Sequence, residues 1–165
     1  MSGGGQSASG ALMLTFCPMN RADIPAVLRM TRENMAQVIH SSWGVDYTDE
    51  TLLDAILDDW TRTEVLRHDK EIVGYYALEQ RGDYAFIVSI QVRRECQGKG
   101  LGKAMMDKIE SDAQEAGLDG VELCVQSTNR NAKSFYEHLE YRFISRQRNN
   151  LLLRKQFPEG DWGVA

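Results

Sequence analysis

The stretch Val92-Arg93-Arg94-Glu95-Cys96-Gln97-Gly98-Lys99-Gly100-Leu101-Gly102-Lys103 constrains this chain more than any other part of the sequence. It joins an alternating, strand-like run to a helix-like run, and glycine holds every second position from Gly98 to Gly102. Glycine tolerates φ > 0 and lets a backbone approach a ligand closely. A helix that begins there offers unpaired N–H groups and a partial positive charge. Together these make an anion site suited to a pyrophosphate, with Lys99 and Lys103 as added positive charge. The competing reading is a tight loop that binds nothing.

Two common phosphate motifs fail on this stretch. A GxGxxG fingerprint counted from Gly98 puts Lys103 at the third glycine, and counted from Gly100 it puts Met105 there. A GxxxxGK[ST] loop ending at Gly102-Lys103 would have Gln97 as its first glycine and Ala104 as its hydroxyl residue. The spacing that holds is QxxGxG, on Gln97, Gly100 and Gly102.

The flanking sequence predicts the order β-α-α-β-β-β-α-β-α-β-β. Leu12 to Cys17 reads as a strand. Asp23 is positioned to cap a helix with Pro25 in its first turn. That helix runs to about His40 on the stripe Ile24, Val27, Leu28, Thr31, Met35, Val38 and Ile39. After a Ser41–Tyr47 loop, Thr48 caps a second helix with Leu52, Leu53, Ile56, Leu57 and Trp60 on one face. Strands follow at Glu64–His68, Glu71–Glu79 and Tyr84–Val92, with turns at Asp69-Lys70 and Arg81-Gly82-Asp83. Tyr84, Phe86, Val88, Ile90 and Val92 alternate onto one side. Leu101–Ala116 is a helix ended by Gly117, Val121–Val125 a short buried strand, and Asn129–Leu139 a helix. Tyr141–Arg146 and Leu151–Phe157 close the chain as a hairpin. The class is α+β, a mixed, mostly antiparallel sheet of six to seven strands flanked by about four helices.

Composition narrows the partners. The chain of 165 residues suits one domain, read here as residues 11–165 after a flexible Gly/Ser-rich leader at 1–10. A net charge of −5 argues against a nucleic-acid binder and agrees with a cationic substrate. No apolar run approaches the roughly 18 residues of a membrane span. The three cysteines, Cys17, Cys96 and Cys124, form no CxxC, which fits a reducing, cytoplasmic setting; Cys17 and Cys124 read as small core residues. His40, His68 and His138 have no metal-ligand spacing, so no metal is expected.

QxxGxG after a strand and before a helix resembles the acetyl-CoA loop of the GCN5-related N-acetyltransferase (GNAT) family. Asn129-Arg130-Asn131-Ala132-Lys133-Ser134-Phe135-Tyr136 is similar to that family's NxxAxxxY segment. The resemblance covers roughly Leu12 to Phe157. One departure is Glu140, which stands where the family has a glycine.

The resemblance implies acetyl-CoA as co-substrate, with the pyrophosphate on the backbone of Gln97, Gly98, Lys99, Gly100, Leu101, Gly102 and Lys103. It implies that the edge of Ile90, Gln91 and Val92 pairs with the pantetheine arm, which needs a splay between Tyr84–Val92 and Val121–Val125. Asn129 and Ala132 would contact the cofactor, with N-capping by Asn129 equally open. Tyr136 would protonate the departing thiolate, or else serve as a core aromatic. The base is unassigned. The strand Ala85–Val92 offers only Ser89 and Gln91 as polar side chains, while Glu79, Asp83 and Glu122 read as solvated charges, and deprotonation through water stays open. The acceptor pocket would come from the first two helices, with His40, Trp43, Asp46 and Tyr47 in their loop and Asp49, Glu50, Asp54, Asp58 and Asp59 beyond. Whether these aromatics and acids meet an amine, or plug the core and face solvent, is open at this stage.

The function so implied is transfer of an acetyl group to a primary amine by direct attack in a ternary complex, the acceptor being a small molecule. The alternatives are a protein N-terminal or lysine acetyltransferase, and a non-catalytic acyl-CoA sensor on the same fold. The resemblance is compatible with a homodimer, for which Leu151-Leu152-Leu153 is a candidate contact, unless that run simply closes the core.

Overall fold

The computed structural model describes residues 13–159. The leader at residues 1–10 and the predicted first strand residue, Leu12, lie outside the described residues. Strand β1 spans Leu14–Pro18, helix α1 Ile24–Trp43, α2 Asp49–Ile56, β2 Arg62–His68, β3 Glu71–Arg81 and β4 Tyr84–Val92. Helix α3 spans Leu101–Glu115, β5 Gly120–Gln126, α4 Arg130–His138, β6 Arg142–Gln147 and β7 Asn150–Gln156. Single 3-10 turns precede α1 at Arg21–Asp23 and follow β4 at Arg94–Cys96.

The expected order holds, with local corrections. Helix α1 continues to Trp43 and stops where Gly44 turns left-handed, at φ 67°. Asp23 does not cap α1. Its carboxylate accepts from the Asn20 amide at 2.9 Å and from Arg67 at 2.6 Å, tying the helix entrance to β2. Thr48 occupies the N-cap of α2 without a side-chain bond to it. Trp60 lies past the end of α2 and is 85% exposed, so it is no part of that helix's buried stripe. Glu140 takes φ 72°, the left-handed turn for which glycine is the usual residue.

The seven strands form one sheet in the order β1-β2-β3-β4-β5-β7-β6. Every neighbouring pair is antiparallel except β4 and β5, which run parallel. Their pairing covers only Tyr84–Ile87 against Gly120–Leu123. Beyond it the strands part, so the required splay is present. The β3–β4 register slips between Ala77 and Leu78, pairing them with Ser89 and Ile87 and leaving Val88 as the extra residue of a bulge. The bulge reverses the alternation. Ala85 and Ile87 before it share a side with Ile90 and Val92 after it, whereas Val88 packs on the opposite face. The single face expected for Tyr84, Phe86, Val88, Ile90 and Val92 is therefore split.

Each side of the sheet carries its own core. On one, Met105, Met106 and Ile109 of α3 pack with Tyr136 of α4 on Tyr76, Val121 and Leu123. On the other, Val27 and Met30 of α1 and Leu52 and Ile56 of α2 cover Val65, Tyr75 and Ala77. Burying each such side chain contributes about 1.5–3 kcal/mol before entropy is counted. Tyr75 and Tyr76 are adjacent and both fully buried because a strand sends successive side chains to opposite faces. Leu153 lies in the first core with Leu151 packed against it, so these two residues of the run serve the core. The exposed apolar side chains near that end are Phe143 and Ile144 on β6.

Candidate functional site

The split between β4 and β5 opens a cleft with two arms. The first, about 560 Å³, lies against α3, α4 and the loop after β4. It is lined by Ile90, Gln91, Val92, Gln97, Gly98, Gly100, Leu101, Gly102, Lys103, Asn129, Ala132 and Tyr136, which is every expected cofactor residue except Lys99. The second arm, about 530 Å³, opens toward α1 and α2 and shares Met35, Ile90, Gln91, Asn129, Ala132 and Tyr136 with the first.

The loop is built as an anion cradle. Gly98 and Gly100 have φ of 77° and 84°, so a side chain there is strained, although a Cβ on either would meet nothing within 4 Å. Backbone conformation, not crowding, calls for glycine, and the surface over the amides stays open. Among the described residues no carbonyl accepts from the amides of Gly98 to Lys103; the first bond of α3 is Ala104 N–H to Gly100 C=O at 3.1 Å. Gly102 has a different task. A Cβ there would sit 3.3 Å from the Phe135 ring, so glycine lets α3 approach α4. Lys103 pairs with Asp107 at 2.9 Å along α3.

The free edge of β4 is set by its partner on the other side. Arg93 N–H donates to Val73 C=O at 2.8 Å, so alternation turns the groups of Val92 and Ile90 toward the split. The Val92 carbonyl accepts from Asn34 Nδ2 at 2.8 Å and from Gln97 Nε2 at 3.1 Å. Gln97 thus braces the loop against β4 through its side chain. Asn34 was not anticipated, and neither was the second amide bond it makes, to Gln91 Oε1 at 3.0 Å. The clue was available: Thr31 and Asn34 place polar groups one turn apart beside the apolar stripe of α1.

Asn129 accepts from Ala132 N–H at 3.2 Å and caps α4, confirming the structural half of its expected role. Tyr136 follows on the same helix with 6% of its surface exposed, held edge-on by Phe135 at 5.1 Å and Tyr141 at 5.6 Å. Burial pushes its pKa well above the ordinary phenol value, so its hydroxyl stays protonated.

None of the three carboxylates nearest the reaction in sequence lines either arm of the cleft. Glu79 is paired with Arg81, and Asp83 is exposed in its turn. Glu122 is buried rather than solvated, 8% exposed and paired with Arg154 at 3.1 Å. Of the acids proposed for the acceptor pocket, Asp46 lines the second arm and Asp49, Glu50, Asp54, Asp58 and Asp59 do not. Tyr47 lines it as well, whereas His40 and Trp43 stand outside. Cys124, expected in the core, is exposed on the wall of this arm because β5 alternates Leu123 and Val125 inward. Desolvation, with a smaller push from Glu122 against a pull from Arg81, holds its thiol above the usual range.

Residues 30–141 match the family model described as Acetyltransferase (GNAT) family. An uncharacterized N-acetyltransferase of Methanocaldococcus jannaschii is 29% identical over 94 residues, a match that spans 56% of this chain and 56% of that protein. Among solved structures, the ribosomal-protein-S18-alanine N-acetyltransferase of Escherichia coli superposes with TM-score 0.70 at 16% identity, over 93% of this chain and 99% of that one. The PaiA N-acetyltransferase of Thermoplasma acidophilum, solved with coenzyme A, gives 0.71 at 16% identity, over 87% and 99%. At such identities the two structures share the fold.

Proposed function

The chain belongs to the acetyltransferase (GNAT) family, and from that premise we propose that it transfers the acetyl group of acetyl-CoA to a primary amine by direct attack in a ternary complex, with a small molecule as acceptor. The observation that carries this reading is the run of unpartnered amides from Gly98 to Lys103 at the end of a split between two parallel strands. The residues fit the group. The amides and the α3 N-terminus suit a diphosphate. The Ile90 N–H and C=O on the free edge of β4 suit an extended amide-bearing arm. The thioester supplies an acetyl carbon activated toward attack.

The protein's own contribution is positioning and proton management. Tyr136 lies where both arms meet and would give its Oη proton to the departing sulfur. The amine nitrogen gains the acetyl group and releases a proton to water, since among the described residues no buried carboxylate lines the second arm to receive it. Water thus supplies the base that the sequence left unassigned. The E. coli neighbour is named for acetylating a protein. A small acceptor is favoured here because the second arm is a cleft of about 530 Å³, bounded by α1, α2 and the strands, whose volume suits a small amine.

The same reading places the protein in the cytoplasm, with Cys17, Cys96 and Cys124 as free thiols. A homodimer would use β6 with its exposed Phe143 and Ile144, because Leu151 and Leu153 serve the core.

Isothermal titration with acetyl-CoA, free CoA and a longer acyl-CoA tests the proposal. Micromolar binding of acetyl-CoA is expected. Gly100→Glu, which puts a carboxylate beside the open amides, should abolish binding while the melting temperature shows the fold intact. A protein that binds no CoA species would sink the reading.

A further inference from the structure

The second arm of the cleft has a wall chemistry that selects among amines. Met35, Ile39, Leu52, Ala55, Val88 and Leu123 make it mostly apolar. Helix α2 is acidic, but the residues it turns to the cleft are Thr51, Leu52 and Ala55, and Asp49 is engaged by Arg32. Asp46 is the lone carboxylate lining the arm among the described residues. Its side chain is 97% exposed at the mouth, 3.9 Å from His40. Among the described residues a second or third ammonium on an acceptor would find only the solvent-exposed Asp46 at the mouth and otherwise a mostly apolar wall, which is unfavourable.

One polar chain does cross this wall, and its direction can be assigned. Thr31 Oγ1 donates to Val27 C=O at 2.9 Å. A hydroxyl has one hydrogen, so in the 2.5 Å contact between Thr31 and Tyr75 the donor is Tyr75. Tyr75 then has no hydrogen left for Ser89, and in their 2.7 Å contact Ser89 must donate. The Ser89 hydrogen is committed inward, which leaves its lone pairs as the polar feature presented to the cleft. Ser89 stands immediately after the bulge residue Val88, where β4 has left β5. Tyr75 is fully buried and its pKa is pushed up to about 12, so the chain does not break by ionisation near neutral pH. Tyr47 Oη, buried without a partner on the same wall, is left to contact whatever fills the arm.

We propose that the acceptor is a primary monoamine on an apolar body, and that Ser89 receives an N–H of that amine. This rests on the acetyl-transfer reading above and deepens it: Ser89 selects by accepting, and the apolar wall selects against polycations. Ser89 sits where a base would stand but cannot act as one, because a serine hydroxyl beside a neutral tyrosine has no tendency to take a proton.

The test is a comparison of thiol release at saturating acetyl-CoA with phenethylamine, isoamylamine, putrescine and spermidine. The two apolar monoamines should exceed both polyamines at least tenfold in kcat/KM. Ser89→Ala should raise the KM of the monoamines by about tenfold while acetyl-CoA affinity and melting temperature hold, and Ser89→Thr should restore most of it. Tyr75→Phe, which frees the Ser89 hydrogen to turn outward, should raise the same KM. Faster turnover of spermidine or putrescine, or an unchanged KM in Ser89→Ala, overturns the proposal and leaves acetyl transfer standing. Failure of the wild type to bind acetyl-CoA in the titration overturns both.

Discussion

At Tyr136 a hydroxyl is kept protonated by its surroundings. Aromatic rings pack its edges and burial raises its pKa. The sign matters for the pH profile. A raised pKa means the proton is held through neutral and mildly alkaline pH, so activity should not be lost on the alkaline side until beyond the ordinary tyrosine value of about 10. Tyr136→Phe keeps the ring and removes the proton. It should lower kcat by roughly 100-fold or more with the dissociation constant for acetyl-CoA unchanged, as rate and titration measurements will show. Glu140 carries strain instead. At φ 72° its Cβ crowds the following carbonyl. Relief of that crowding outweighs the flexibility glycine adds to the unfolded chain, so Glu140→Gly should gain about 0.5–1 kcal/mol in urea denaturation.

At the scale of elements, the strand and helix order was legible because the hydrophobic period changes cleanly from two to nearly four residues along the chain. The loop from Gln97 to Gly102 was legible because its glycines mark backbone conformation rather than packing. What the sequence hid depended on partners. The bulge at Val88 is a property of β4 against β3, and alternation read from one strand alone cannot reveal it. The same holds for Cys124, whose apolar neighbours suggested a core position although β5 turns it to the cleft. Thr31, Asn34 and Tyr75 reached the site from elements whose apolar stripes drew the eye to the core, whereas Tyr47 was legible from its loop. Gly120 is another partner effect. A Cβ there would overlap the Lys155 carbonyl oxygen, where β5 begins its pairing with β7. Because backbone blocks it, Gly120→Ala should cost about 1–3 kcal/mol by thermal unfolding, with the loss confined to stability as long as the folded fraction binds acetyl-CoA normally.

The whole molecule is two antiparallel blocks, β1 to β4 and β5-β7-β6, meeting along the short parallel pairing of β4 with β5. A ligand that occupies the split binds only the folded chain. At one hundred times its dissociation constant, acetyl-CoA should add about 2.7 kcal/mol, seen as a rise of roughly 5–10 °C in melting temperature. The blocks are also linked at their open ends by one helix. Helix α1 holds the tip of β4 through Asn34 on the Val92 carbonyl, and it holds the loop after β5 through Ser42 on Thr128 Oγ1 at 2.5 Å. The anchors are 42 − 34 = 8 residues apart, a rise of about 12 Å of rigid helix. Helix α1 is therefore a gauge bar. It fixes the width of the opening before any ligand arrives, and a one-residue insertion between Asn34 and Ser42 would both lengthen the bar and turn its two ends by about 100° out of alignment.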